Sequence, residues 1–341
     1  MAAGLNERNQ TLHLARVPEG DAVPDDFEVR ESSVPQPKDG EILIRNQFVG
    51  VDAALRLIVR DSSDFLFRVR PGDPVHGSAA GEVVESRNSA FKVGDKVMGS
   101  LGVQSYAVSD GTGLERCDTS LSPLSSWLGP FGVSGLTAYF AITEECKPQP
   151  GQTVLVNGAA GAVGSIAGQL AKLAGARTIG LTSTPEKCRW LVDELGYDIA
   201  INYRDRDFRQ QLERAAPERI DSIFDNVGGP VLDESLRLIG MHGCVLMCGS
   251  TSQYGAETMA GPSNYIWLGT MRARLQGFVV FDYAHRYDEG RRRLSAFVKQ
   301  GRMKMPEHIV DGDVGAFPAA LQAMYRGENK GKLVLRLPAG S

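Results

Sequence analysis

Apolar and polar positions along this chain follow two different rhythms. Up to about residue 131 the apolar residues fall in short runs, some alternating with polar ones: 41–49 (EILIRNQFV), 77–85 (GSAAGEVVE), 92–98 (KVGDKVM, a Gly-Asp turn and then a strand) and 103–108 (VQSYAV). Short strands separated by nearby turn signals predict a partly closed β-barrel rather than βαβ units. Between 123 and 143 small and apolar residues run through GPFGVSGLTAYFAI and predict a packed helix leading into a second domain. Beyond KPQPG at 147–151 the rhythm changes, and apolar runs of strand length alternate with stretches of helical spacing.

The stretch 153–175, TVLVNGAAGAVGSIAGQLAKLAG, organises this second part. TVLVN is apolar and β-branched, as a buried strand requires. Small residues follow, and then Val163, Ile166, Ala167, Leu170, Ala171 and Ala174 recur at helical spacing. Gly175 suits the position just past a helix end. Strand, small-residue turn and helix form a dinucleotide-binding unit, in which the backbone can approach a pyrophosphate and the helix start offers N–H groups. The strict G-x-G-x-x-G pattern is replaced by Ala159-x-Gly161-x-x-Gly164. Close packing of helix on strand would also demand small residues, so the legible flanking elements carry the reading.

Further strands are expected at 177–182, 198–203, 220–226, 243–248 and 274–281, with helices at 185–195, 208–215, 231–238 and 291–299. The 185–195 helix has Thr184 as N-cap, Pro185 at its first position and Gly196 beyond its end. The tail adds a helix at 317–325 and a strand at 332–337, expected to return to the first domain. The fold class is therefore α/β: a doubly wound parallel Rossmann sheet plus a β-rich, partly closed barrel. The expected domains are 1–131 with 309–341, and 132–308.

Composition narrows the function. The 341 residues suit two domains, and a net charge of −4 gives no general attraction to nucleic acid or anionic lipid. No apolar run approaches the ~18 residues of a membrane span, and the opening MAAGLNERNQ lacks a secretory pattern. The five cysteines, Cys117, Cys146, Cys188, Cys244 and Cys248, are odd in number and scattered, which argues against a disulfide framework and for a reduced cytoplasmic setting. Cys244 and Cys248 share a face of an expected strand and read as small buried hydrophobes.

An NAD site usually carries an acid at the end of the second strand to hold the ribose 2′-OH. Here that place reads Leu181-Thr182-Ser183-Thr184, without one. Lys187 follows in the first turn of a helix, where the dipole opposes a cation, and its neighbours at offsets three and four are Trp190 and Leu191. A bound 2′-phosphate would account for that charge, so NADP(H) is expected over NAD(H). His13, His76, His242, His285 and His308 show no zinc spacing, so no metal site is expected. A metal-free reductase needs a donor to the substrate oxygen and a proton source. Tyr254 and Tyr265, just after the fifth strand of the series, lie where ligands bind in such sheets; packing at a cleft rim is the other reading.

The segments GAAGAVGSIAGQLAKLAGAR, TPEKCRWL, FDNVGG, MCGSTSQY, ARLQGFVVFDY and NKGKLVLRL resemble the zinc-free medium-chain dehydrogenase/reductases, among them the prostaglandin reductases, leukotriene hydroxydehydrogenase and curcumin and plant double-bond reductases. GVQSYAVSDGTGL and GPFGVSGLTAYF extend the resemblance into the first domain. It implies a GroES-like barrel beside the Rossmann domain, and NADPH-dependent reduction of the C=C bond of α,β-unsaturated ketones or aldehydes. It further implies that Gly161, Ala162, Val163 and Gly164 hold the pyrophosphate and that Lys187 and Tyr203 hold the 2′-phosphate. Asn226 would line the cofactor, with Cys248, Gly249, Ser250, Thr251, Ser252, Gln253 and Tyr254 passing the nicotinamide side. Phe278, Val279 and Val280 would flank the ring, Asn329 would reach back from the tail, and the protein would be a homodimer. The family's D-P-Y-M-R run stands here as Asp52-Ala53-Ala54-Leu55-Arg56, and Thr270 replaces a tyrosine of the mammalian prostaglandin enzymes. Tyr254 and Arg56 are the residues expected to orient the substrate oxygen. Quinone reduction and a non-catalytic, cofactor-loaded scaffold are the competing functions; no nucleic-acid or membrane partner is expected.

Overall fold

The computed structural model describes residues 8–60, 68–256 and 258–339. The opening residues 1–7, read above for a secretory pattern, lie outside that set. In chain order the elements are β1 (Arg8–Leu14), β2 (Phe27–Ser33), β3 (Ile42–Gly50), α1 (Leu55–Ile58), β4 (Ala79–Ser86), β5 (Lys96–Gly99), β6 (Tyr106–Ser109), β7 (Glu115–Arg116) and α2 (Val133–Phe140). There follow β8 (Thr153–Asn157), α3 (Gly164–Leu173), β9 (Arg177–Thr182), α4 (Pro185–Asp193), β10 (Ile199–Asn202), α5 (Phe208–Ala215), β11 (Ile220–Asp225), α6 (Gly229–Leu236), β12 (Ile239–Met247), α7 (Ile266–Met271), β13 (Arg274–Gly277) and α8 (Tyr287–Lys299). The tail holds β14 (Glu307–Asp311), α9 (Phe317–Tyr325) and β15 (Lys332–Arg336). Two compact units result: Met1–Gly129 with Glu307–Glu328 and Leu333–Ser341, and Pro130–Pro306 with Asn329–Lys332.

In the first unit β3 is the central strand. Its N-terminal half pairs with β6, its C-terminal half with β15, and its other edge with β4, all antiparallel. The β3–β4 register shifts between Leu43 and Ile44 and between Asn46 and Phe48. Such irregularities bend a strand and raise its twist, which lets one strand serve three partners in a coiled, partly closed sheet. The hairpin β1–β2 forms a separate two-stranded sheet. Leu12, Ile42, Ile44, Val83, Val97, Phe317 and Leu335 belong to one buried core. Neither β1, β2, α1 nor β14 is anticipated above. β2 shows why: after Phe27 it reads EVRESS with every residue exposed, so it has no buried face to mark it.

The second unit is a six-stranded parallel sheet in the order β10-β9-β8-β11-β12-β13, the doubly wound Rossmann arrangement. Leu155, Ile179, Ile223, Leu236 and Val245 are fully buried in its core. Several details differ from expectation: α7 is not anticipated above, β12 begins at Ile239 and α8 at Tyr287. The helix expected across 123–143 is broken at 129–132 into a 3-10 turn (Leu124–Leu128) and α2. Pro130 supplies no N–H and disfavours helical geometry at Gly129 before it. The strand expected at 274–281 stops at Gly277, and a 3-10 run begins at Val280. β12 ends at Met247, so Cys248 lies beyond the strand on which Cys244 is buried. Val103 and Gln104 fall before β6, whose pairing with β3 starts at Tyr106.

Tyr197 fastens α3. Its hydroxyl donates to the Gly164 carbonyl at 2.6 Å, and its ring lies where a Cβ on Gly168 would stand, 1.9 Å from ring carbon Cζ. Glycine in mid-helix is accounted for by this close approach rather than by flexibility. Among the described residues no helix is long and apolar enough to cross a membrane.

Candidate cofactor and active site

Every candidate residue of the second unit except Asn329 follows the C-terminal end of a parallel strand. Gly161–Gly164 follow β8, Lys187 follows β9, Tyr203 follows β10 and Asn226 follows β11; Cys248 to Tyr254 follow β12 and Phe278 to Val280 follow β13. In doubly wound sheets ligands bind there, at the crevice where the strand order reverses, which here lies between β8 and β11. Asn329 reaches the same edge from the tail, because Gly331 bridges to Gly161 and its N–H donates to the Ala160 carbonyl at 2.9 Å.

The glycine turn is built for close approach. Gly158 holds φ +69°, and the Gly161 N–H closes the turn onto the Gly158 carbonyl at 3.0 Å. A Cβ on Gly164 would fall 2.4 Å from the Gly158 oxygen, so only glycine starts α3 this tightly. Among the described residues the Val163 and Gly164 N–H groups have no acceptor, as expected of a first helical turn. This cradle fits a diphosphate, which takes N–H donors and the positive end of a helix dipole.

Lys187 lies in the first turn of α4, where the Thr184 hydroxyl accepts from the Lys187 N–H at 3.3 Å. Only 7% of Lys187 is exposed. Burial, then the charges of Arg204 and Lys330, push its ammonium down to about 8 from an ordinary 10.5. A half-buried Tyr203 stands beside this corner, its N–H donating to the Thr182 carbonyl at 2.9 Å. A buried cation repelled by further cations is the electrostatic signature of an anion site.

Two loops form the other wall and are stitched together. The Cys248 and Gly249 N–H groups donate to the Asp225 carbonyl, Thr251 N–H to Asn226 and Ser252 N–H to Val227. The Thr251 and Ser252 hydroxyls donate to the Asn226 and Val227 carbonyls at 3.1 and 2.6 Å. Beneath them the Asp225 carboxylate accepts from Asn157 Nδ2 at 2.7 Å and from the Val227 and Gly228 N–H groups. Burial still pushes that carboxyl above its ordinary range. The Asn226 amide donates to the Asn157 carbonyl at 3.1 Å. Asn157 and Asp225, both buried and polar at the ends of apolar strands, are members of this network not picked out above.

Tyr254 Oη accepts from the Ser250 N–H at 3.3 Å. Burial raises its pKa and keeps it protonated at neutral pH. Burial also pushes the Cys248 thiol up to about 12, so it is no nucleophile at neutral pH. In Phe278-Val279-Val280 the extended chain turns Phe278 and Val280 into the interior and leaves Val279 55% exposed. Of these three side chains, Val279 is the one offered to a ligand.

In the first unit, Arg56 on α1 forms an ion pair with Asp21, and its guanidinium lies 5.0 Å from the centroid of the Tyr325 ring on α9. Burial pushes the Tyr325 phenol strongly up, so it stays neutral beside the cation. Asp52 accepts from the Ser78 hydroxyl at 3.2 Å. The Asp21 and Tyr325 partners of Arg56 are remote in sequence, and no spacing pattern points to them. Among the described residues no three His, Cys, Asp or Glu side chains gather as metal ligands would.

Comparison with known proteins agrees with this geometry. Residues 10–117 match the family model described as the N-terminal domain of oxidoreductase, and 162–296 match that described as zinc-binding dehydrogenase. The chain is 35% identical over 339 residues to the NADPH-dependent curcumin reductase of Escherichia coli, covering 97% of each. It is 36% identical over 320 residues to bovine (Bos taurus) prostaglandin reductase 1, covering 91% of this chain and 94% of the relative. The crystal structure of CurA from Vibrio vulnificus in complex with NADPH superposes with a TM-score of 0.91 at 32% identity, covering 97% of this chain and 99% of that one. The chain belongs to the zinc-free medium-chain dehydrogenase/reductase family.

Proposed function

We propose that this protein is an NADPH-dependent reductase of the C=C bond of α,β-unsaturated ketones and aldehydes. The observation that carries the reading is the buried Lys187 ammonium among other cations in the first turn of α4, just after the end of β9, where no acid stands to select NAD. Its relatives' names, curcumin reductase and prostaglandin reductase, supply the substrate class. Gly161, Ala162, Val163 and Gly164 bind the pyrophosphate, and Lys187 and Tyr203 bind the 2′-phosphate. Asn226, the loop from Cys248 through Tyr254, Val279 and Asn329 line the dinucleotide, with Phe278 and Val280 supporting Val279 from within.

When bound, the reduced nicotinamide supplies the hydride that the β-carbon of the substrate accepts. The chain's own residues have three tasks. Tyr254 Oη holds a proton and donates a hydrogen bond to the substrate oxygen, drawing electron density away from the alkene. Arg56, aimed by Asp21 and Tyr325, adds positive charge for the developing enolate oxygen. The loop stitched across 225–228 and 248–254 keeps Tyr254 in place, so little reorganisation is needed at the moment of reaction. The unit Pro130–Pro306 with Asn329–Lys332 binds the dinucleotide. The working form is a cytoplasmic homodimer. Its support is β13, one of the two outer strands of the parallel sheet, which among the described residues pairs on one side only and carries an exposed Leu275.

The test is NADPH oxidation by the purified full chain over a panel of enones, enals and quinones, with product analysis. The reading predicts saturated ketones and aldehydes. A hydroquinone as the sole product would make it a quinone reductase, and NADPH binding without turnover on any of them would make it a scaffold.

A further inference from the structure

The segment Asn329–Lys332 belongs to the second unit although it precedes most of β15, which belongs to the first. Its path is fixed by backbone. Gly331 sits at φ +71°, and a Cβ there would fall 2.2 Å from the Pro306 carbonyl oxygen. The bridge to Gly161 and the bond to the Ala160 carbonyl hold it against the glycine turn, and Asn329 Nδ2 donates to the Gly331 carbonyl at 2.7 Å. This strap presents Lys330, whose ammonium stands 5.8 Å from the Trp190 ring centroid. Trp190 is three residues past Lys187 on α4, hence on a neighbouring part of the same helical surface. Arg204 follows Tyr203 directly beyond β10, the strand paired to β9. Among the described residues neither Arg204 nor Lys330 has an acidic partner. Both repel the charge on Lys187. Gathering cations around a buried lysine is unfavourable in the free protein, and an anion with several acceptor oxygens reverses the sign of each contribution.

We infer that Arg204 and Lys330 join Lys187 in a three-cation receptor for the 2′-phosphate of the dinucleotide, and that Trp190 is the platform that aims Lys330 at it. The inference rests on the NADPH reading and adds two specificity-determining residues and one positioning residue to it. Distance from the reacting carbons means these residues set which dinucleotide binds, not the chemical step.

The experiment titrates the full chain with two fragments, adenosine 2′,5′-bisphosphate and adenosine 5′-monophosphate, by calorimetry at several salt concentrations. The wild type should prefer the bisphosphate. Lys330→Gln and Arg204→Gln should each cut that preference about tenfold, flatten its salt dependence and leave monophosphate affinity unchanged. Lys330→Arg should restore it, and Trp190→Leu should lose part of it. Arg189→Gln, which removes an exposed cation paired to Glu186 on the same helix, is the control and should change nothing. An intact preference in both Gln variants, with Lys187→Ala abolishing it, would overturn the receptor and leave the NADPH reading standing. Equal weakening of both fragments in Lys330→Gln would make the residue a support of the strap and overturn its phosphate role. No preference in the wild type would remove the NADPH reading, and the receptor with it.

Discussion

Lys187 is where charge and burial conflict most sharply. In the free protein its amine ionises near 8, because the folded state disfavours the charged form. A 2′-phosphate favours that form. Above pH 8 binding must therefore draw a proton from solution, and affinity for NADPH should fall with rising pH, while NADH, with no 2′-phosphate, should show no such limb. The same depression has a stability consequence. Between about 8 and the ordinary 10.5 the unfolded chain binds more protons than the folded one, so this group's contribution to stability rises with pH across that window. Lys187→Ala should remove both effects and raise the NADPH Michaelis constant by about 10–100-fold, ~1.4–2.8 kcal/mol, with little change for NADH. Steady-state kinetics with each cofactor across pH 6–10 (about this range suffices) reads all of this. At Tyr254, replacement by Phe keeps the ring and removes the donor; turnover on an enone should fall by about 10²-fold or more with the NADPH Michaelis constant unchanged. Lys187 was legible from sequence because an amine follows in the first helical turn where the preceding strand end, 181–184, carries no acid. Arg204 and Lys330 were not, since only the fold brings a tail residue beside the glycine turn.

Among the elements, α3 shows how glycine and tyrosine cooperate across the sheet. Gly168→Ala would drive a methyl into the Tyr197 ring, and neither the buried ring nor the helix backbone can yield cheaply. A loss of at least about 1–3 kcal/mol is expected, measured as a lower urea midpoint at unchanged slope. Tyr197→Phe should cost about 1–3 kcal/mol by leaving the Gly164 carbonyl without its donor. The double variant should be less than additive, since both act on one contact. β8, β9 and β11 are readable from sequence because each buries a nearly continuous apolar run, whereas α7 and β13 bury no residue and leave no such trace. α5 and α9 match their expected limits to the residue. The first unit resisted such reading where elements are short or exposed. β2 carries six exposed residues out of seven, and α1 is a single turn, so neither leaves a periodic trace. The break before α2 turns on Pro130, which the apolar run GPFGVSG conceals.

For the whole molecule, the outer edge of β13 gives the proposed dimer a specific address. Leu275→Glu on that edge should place like charges across a two-fold pairing and shift the protein toward monomer in sedimentation velocity, with NADPH binding retained. An unchanged dimer would move the interface elsewhere; a wild-type monomer would remove it. The account as a whole depends on where the reduced cofactor's electrons end up. The direct measurement uses NADPH deuterated at the transferable position, an open-chain enone and mass spectrometry of the product. The account predicts a saturated ketone with the label on the β-carbon and a solvent-derived hydrogen on the α-carbon. Label on the carbinol carbon of an allylic alcohol, or no labelled product while NADPH binds, would contradict it.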